Sequence, residues 1–186
     1  MTSLCLVAAC GGGGGNGNAA PPPPPASGAT TISDVQGNSS VSPLEGRTVT
    51  VTGIVTGDFQ ENDSDDRRNL GGYYMQDGPP DGDLQTSDGV FVFDGTNPAT
   101  DINAGDVVEV IGTVAEYFGE TQINASSVRV TGSGAVMPLP LQLPVSGTTT
   151  NSDGEVIADL ERYEGMLVEF PDTLTVAGHR NLARFG

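Results

Sequence analysis

The sequence contains no lysine, a single histidine and two cysteines, and each scarcity removes a class of protein. Its seven basic residues, all arginine, face 24 Asp plus Glu, for a formal net charge of -17. A field of that sign repels phosphodiesters, so the chain as a whole is not a basic electrostatic trap for nucleic acid. Any contact with DNA or RNA has to be local, metal-assisted or made elsewhere. The acidic surplus also suits a secreted protein kept soluble in a salty medium, where screening is short-ranged. Cys5 and Cys10 both fall within the first ten residues, which leaves no disulfide framework for the folded part. His179, beside Arg180, has no carboxylate partners at a recognisable spacing, so no histidine-based catalytic or metal set can be assembled. A Ser/His/Asp set is equally absent, and the run Gly11 to Gly15 precedes no strand-to-helix unit that would cradle phosphate. Helical periodicity is scarce too: only residues 155–163 carry a weak apolar stripe.

What is present points to sheet. Gly 27 and Pro 13 punctuate many short Val, Thr, Ile and Phe runs, and at 186 residues the chain holds one domain or one domain with part of another. Val49, Val51, Gly53 and Val55 share a spacing with Val108, Val110, Gly112 and Val114. A glycine inside such a run marks a bend, a bulge or a close backbone approach, as a strand coiling around a small barrel requires. Two long strands kinked at Gly53 and Gly112 are therefore expected.

Taken in order, residues 1–10 end in Leu-Val-Ala-Ala-Cys, which resembles the lipobox of a bacterial lipoprotein signal with Cys10 as the lipidated residue. The stretch lacks a positive start, so the true start is expected further upstream. Residues 11–28 are glycines followed by five prolines, a flexible tether and a stiff spacer that would hold a domain away from a membrane. Residues 29–135 read as one module. Ile32 to Val35 enters it, Leu44-Glu45-Gly46 turns into a first strand from Arg47 to Phe59, and a polar loop runs from Gln60 to Asn69. Leu70 to Gln76 is a second strand, residues 77–89 an acidic turn and Val90 to Asp94 a third strand. The fourth is the stretch from Gly105 to Asn124, and Ser127 to Thr131 is a fifth. Long, glycine-kinked first and fourth strands predict an all-β, five-stranded OB-like Greek-key barrel. The connection between strands three and four is too short for the helix often found there. Prolines 138, 140 and 144 mark a linker over 136–154. From 155 to 186 a second β module begins, where Tyr163-Glu164-Gly165 echoes Leu44-Glu45-Gly46 before an alternating strand; too few strands follow to close a sheet.

Two candidate sites follow from this layout. OB barrels stack bases on exposed aromatics of strands two and three, with basic groups along the backbone. Tyr73, Tyr74 and Tyr117, with Arg67 and Arg68 in the adjacent loop, are the candidates for single-stranded nucleic acid. Alternation lets only one of Tyr73 and Tyr74 face outward, while Phe91 and Phe93 share a face and read as core. Residues 29–135 carry 17 acids against four arginines, so a plain scaffold competes with this reading, Arg67 and Arg68 then neutralising Asp63, Asp65 and Asp66. Asp77, Asp81, Asp83 and Asp88, clustered around glycines, offer hard oxygens to Ca²⁺. They do not reproduce the EF-hand spacing, and a solvated acidic turn is the plainer alternative.

Four segments together resemble a known family. Gly-Ile-Val-Thr-Gly-Asp-Phe-Gln at 53–60, Leu-Gly-Gly-Tyr-Tyr-Met-Gln-Asp at 70–77, Ser-Asp-Gly-Val-Phe-Val-Phe at 87–93 and the stretch 105–123 are similar to the N-terminal OB-like domain of large bacterial extracellular nucleases. Residues 160–168 and 181–186 resemble the segment that follows it. The resemblance implies a parent whose hydrolytic centre is a C-terminal endonuclease/exonuclease/phosphatase domain using Mg²⁺ or a similar divalent metal. This chain stops short of that domain, so no catalytic residue is transferred to it. The expectation is a non-catalytic portion of a secreted or outer-surface lipoprotein nuclease. Its partner is extracellular or single-stranded nucleic acid, its membrane contact runs only through a lipid at Cys10, and it uses no small-molecule cofactor. A surface-tethered β-domain for protein or carbohydrate attachment is the alternative.

Overall fold

The computed structural model describes residues 30–60, 69–143, 145, 147–150 and 152–174. A short helix α1 (Ile32–Gln36) precedes five strands: β1 (Thr48–Phe59), β2 (Gly72–Gln76), β3 (Gly89–Phe93), β4 (Asp106–Tyr117) and β5 (Glu120–Ser133). They close into a barrel in the order β1-β2-β3-β5-β4, with β3 and β5 parallel and the other neighbours antiparallel. This is the five-stranded OB-like Greek-key barrel.

The repeated valine-glycine spacing acquires a physical meaning here. β1 and β4 pair antiparallel about Val51↔Val110, so Gly53 meets Val108 and Val49 meets Gly112. Each glycine thus lies opposite a valine of the other copy. The two glycines differ in role, which corrects the expectation of two matched kinks. At Gly112 the β4–β5 register shifts and Ser126 is the extra residue, its hydroxyl donating to the Ile111 carbonyl at 3.0 Å. In β1 the irregularity falls between Val55 and Gly57, past Gly53. Gly53 is instead a point of close approach, where an added Cβ would lie 3.2 Å from both the Gln76 carbonyl and Ile32 Cδ1. β1 changes partner from β4 to β2 at Ile54, so the bulge sits where the strand turns the corner of the barrel.

The ends of the strands also differ from expectation. The stretch Gly105 to Asn124 is a hairpin: Tyr117↔Glu120 closes a two-residue turn with Phe118 at φ 53 and Gly119 at φ 86. Two consecutive positive φ values make the type I′ turn, whose twist matches that of the flanking strands. The fifth strand therefore begins at Glu120 and not at Ser127. Ile32 to Val35 is helical, started by a capping box between Thr31 and Asp34.

Ile32 and Val35 of α1 and Ile102 of the β3–β4 connection are wholly buried in one cluster with Val51, Val55, Met75, Val90, Val92, Val108 and Val110. With no helix between β3 and β4, Ile102 supplies apolar bulk from that connection. Its N–H donates to Gln60 Oε1 at 2.8 Å. Tyr73 is also wholly buried, and its hydroxyl has no hydrogen-bond partner among the described residues. Burial, with nearby Asp94, drives its pKa upward. An unsatisfied buried hydroxyl costs about 1 kcal/mol or more. Tyr73→Phe should therefore leave stability unchanged or raise it by up to about 1 kcal/mol in urea unfolding; a large loss would mean the hydroxyl has a partner.

Beyond the barrel, β6 (Leu139–Pro140) pairs in parallel with β9 (Val168–Glu169), and β7 (Thr148–Thr150) pairs with β8 (Val156–Ala158). The weak apolar stripe near 155–163 is β8 followed by a single 3-10 turn, Glu161–Tyr163, and not an α-helix. The echo of Leu44-Glu45-Gly46 holds in the turn: Arg47 N–H donates to Leu44 O at 2.9 Å and Met166 N–H to Tyr163 O at 3.1 Å. Gly46 and Gly165 have φ 75 and 67. After the second turn the extended run shrinks to β9. No helix among the described residues is long and apolar enough to cross a membrane.

Candidate functional site

Alternation along β2 and β3 sorts their side chains. Tyr73, Met75, Val90 and Val92 point into the barrel, all wholly buried, so Tyr74, Phe91 and Phe93 take the outer face. Tyr74 is opposite Phe91, with ring centroids 4.9 Å apart, and Phe59 of β1 meets Tyr74 edge-on at 5.9 Å. The parallel β3–β5 register continues this face with Gln122 beside Phe91 and Asn124 beside Phe93. Tyr74, Phe91, Phe93, Gln122 and Asn124, together with Leu70, Asp94, Tyr117 and Glu120, line a groove of 590 Å³. The β4–β5 hairpin carries Tyr117 and Phe118 at its tip, their rings 4.7 Å apart and edge-to-face, with Phe118 96% exposed.

Phe118 combines two disfavoured properties. A bulky non-glycine residue at positive φ costs roughly 1 kcal/mol, and its ring lies almost wholly in water. Asn at this turn position would relieve the first and remove the second. A residue that keeps both suits a contact surface.

The predicted site residues scatter. Tyr74 and Tyr117 are on the groove. Tyr73 is a correction: it fills the barrel interior and has no face to offer a base, because the phase of β2 is fixed by Met75 packing inward. Phe91 and Phe93 are corrected in the opposite sense, lying on the outer face and outside the barrel cluster. Arg67, Arg68, Cys10 and His179 lie outside the described residues. Among the described residues no three His, Cys, Asp or Glu side chains are placed to hold a metal ion. Asp81 Oδ1 accepts from the Asp83 N–H at 2.7 Å and Asp83 Oδ1 from the Gln85 N–H at 2.9 Å, so these carboxylates close local turns. Asp77 has its pKa pushed up to about 7 by burial, then by Asp88, against a bond from the Ile32 backbone N–H.

Sequence reading missed Glu120, Gln122 and Asn124, which reach the groove only through strand pairing, and Leu70, which lines it from just before β2. It also missed what Glu164 does. The Glu164 carbonyl accepts from Ser87 Oγ at 2.6 Å and its carboxylate from the Thr121 N–H at 2.9 Å, while the Leu167 N–H donates to Gln76 Oε1 at 2.9 Å. Gly165 lies so close to Gly89 that a Cβ on Gly89 would be 2.5 Å from its carbonyl oxygen. The Glu161–Leu167 turn is thus seated on the barrel backbone. Burial raises the Glu164 pKa to about 7, Glu161 and Glu120 add to this, and bonds from Thr121 and Gln36 oppose it. Because the seated state holds the proton more tightly than the free one, seating is strongest below the ordinary carboxylate range and weakens as pH rises through about 7. Amide protection across residues 161–167 should accordingly fall between about pH 5 and about pH 8, and Glu164→Gln should flatten that dependence. An equal fall in both proteins would remove Glu164 as its cause.

The groove's polar lining is acidic or neutral: Asp94, Glu120, Gln122 and Asn124, with no arginine among its described residues. The Tyr74 hydroxyl donates to Glu120 Oε1 at 2.8 Å. Ring faces and amides are on offer for stacking and hydrogen bonding, while charge compensation for a phosphate has to come from outside this lining. In comparison with known proteins, the chain matches no family model and no curated protein.

Proposed function

We propose that this chain is the non-catalytic, OB-like portion of a secreted or surface-anchored nuclease, holding a single strand across the aromatic groove for a metal-dependent phosphodiesterase domain outside these residues. The observation that carries this reading is the conjunction of OB strand order with an outer face of Tyr74, Phe91 and Phe93 bordered by Tyr117, against whose ring the strained, exposed Phe118 packs. Stacking tolerates any base, as a degrading enzyme requires. The sequence resemblance supplies the nuclease context, and the Cys10 lipobox with its Gly/Pro tether supplies the surface location. Arg67 and Arg68, in the β1–β2 connection, or a divalent cation would balance the phosphates.

The acidic and amide lining favours a second reading, attachment to a neutral carbohydrate, since rings plus Asp, Glu, Asn and Gln satisfy sugar hydroxyls without any cation. Fluorescence anisotropy with a labelled single-stranded DNA at low salt, with and without Mg²⁺, against a neutral oligosaccharide separates the two. DNA binding is expected to weaken about tenfold in Phe118→Asn, while that variant gains about 1 kcal/mol of stability from a relaxed turn. Oligosaccharide binding without DNA binding would move the assignment to the second reading. No binding of either would leave a scaffold.

A further inference from the structure

Between the Asp77–Asp88 connection, residues 135–140 and the Tyr163–Met166 turn lies a cavity of 310 Å³ that shares no residue with the aromatic groove. Its walls are largely apolar: Leu84, Met137, Pro138, Tyr163 and Met166. Leu84 and Met137 stand exposed by 71% and 84%. Gln76, Asp83, Thr86, Asp88 and Arg162 interrupt this lining. Asp88 is only 5% exposed, and its carboxylate accepts the Asp81 backbone N–H. One Asp88 oxygen and the Thr86 hydroxyl are nevertheless buried with no hydrogen-bond partner among the described residues.

Orphaned buried acceptors are costly, so a donor arriving there is favoured. A bare hard cation fits poorly, because it needs six or so oxygens and the walls are hydrocarbon. The charge acting most on Asp88 is Asp81, another acid, and the chain has no lysine whose ammonium could fill the gap. Arg162 also lines the cavity, and its guanidinium lies 5.2 Å over the Tyr163 ring centroid. What remains is a ligand with one charged donor on an apolar body. We propose that this cavity binds an alkylammonium ion, the ammonium donating to the unpartnered oxygen of Asp88 and the hydrocarbon packing on Met137, Tyr163 and Met166.

Isothermal titration calorimetry of the full chain with hexylammonium chloride tests this, with 1-hexanol and calcium chloride as comparison probes. Saturable one-site binding of hexylammonium is expected, with no heat from hexanol at equal concentration. Asp88→Asn should weaken the affinity about tenfold, the loss of one charge-assisted hydrogen bond. Since replacing a buried carboxyl can unsettle its loop, Met137→Arg provides a second variant. It alters an exposed side chain, leaves the fold alone and sets a guanidinium at the mouth, which should also weaken binding. Hexanol binding as well as hexylammonium, affinity unchanged in both variants, or displacement by stoichiometric Ca²⁺ would overturn the proposal.

Discussion

Gly112→Ala should lower the melting temperature by roughly 13 °C, equivalent to about 3 kcal/mol for a barrel of this size. The added Cβ would lie 2.5 Å from Ile123 Cγ2, 2.6 Å from the Asn124 carbonyl and 3.0 Å from Ala125 Cα. Two of those three atoms are backbone of the paired strand, so no rotamer change can make room. The ladder itself must open at the bulge, and β4–β5 is the longest pairing in the barrel. Gly53→Ala is the control. Its closest contacts, at 3.2 Å, are the Gln76 carbonyl and the flexible end of Ile32, both well outside the 2.5 and 2.6 Å met at Gly112, so shifts of a few tenths of an ångström relieve them. A loss of about 1 kcal/mol is expected there. Equal melting temperatures for the two variants would mean that the bulge at Gly112 is not where the barrel depends on a missing side chain.

The contrast between these glycines shows what the sequence could and could not convey. Alternation around Val49–Val55 and Val108–Val114 identified two long strands, because one face is apolar and the other polar. Their antiparallel pairing about Val51 and Val110 then made the repeat a structural match. In β3 the same logic failed. Val-Phe-Val-Phe is apolar on both faces, so the pattern carries no contrast to set its phase, and Phe91 and Phe93 read as core when the valines are. The hairpin tip was hidden for a related reason. Phe118 occupies a position where Asn or Asp usually announces a type I′ turn, and without that signal the run from Gly105 to Asn124 reads as continuous. α1 is too short for any periodicity, leaving only Thr31 and Asp34 to mark it. The groove was half visible. Tyr74 and Tyr117 are conspicuous aromatics, whereas Glu120, Gln122 and Asn124 become part of it only because β5 runs parallel to β3. Seating of the Glu164 turn depends on Ser87, Gln76 and Thr121, partners 43 to 91 residues away, and no local pattern encodes that.

Gln60→Leu should cost about 3 kcal/mol, and the loss should grow with pH. Gln60 is wholly buried where β1 ends, and it ties together three separate pieces of backbone and side chain. Its Nε2 donates to Asp94 Oδ2 at 2.6 Å and to the Thr100 carbonyl at 3.0 Å, while its Oε1 accepts from the Ile102 N–H at 2.8 Å. Leucine matches the volume and makes none of these bonds, leaving the Ile102 amide unpaired and taking the side-chain donor away from Asp94 Oδ2 where water has little access. The pH term follows from Asp94. Burial already raises its pKa and the Gln60 amide opposes that rise, so removing the amide pushes it further up. A carboxyl raised in the folded state stabilises it when protonated and destabilises it as pH climbs through the folded value. Urea unfolding at about pH 5 and about pH 8 should therefore show a larger deficit for Gln60→Leu at the higher pH. Gln60→Glu gives the complementary result: it keeps an acceptor for Ile102, but sets a second carboxylate against Asp94, so its deficit should steepen even more with pH. A pH-independent loss in both variants would show that Gln60 acts through packing alone, and that Ile102 is held in the barrel by its side chain and not by the amide beneath it.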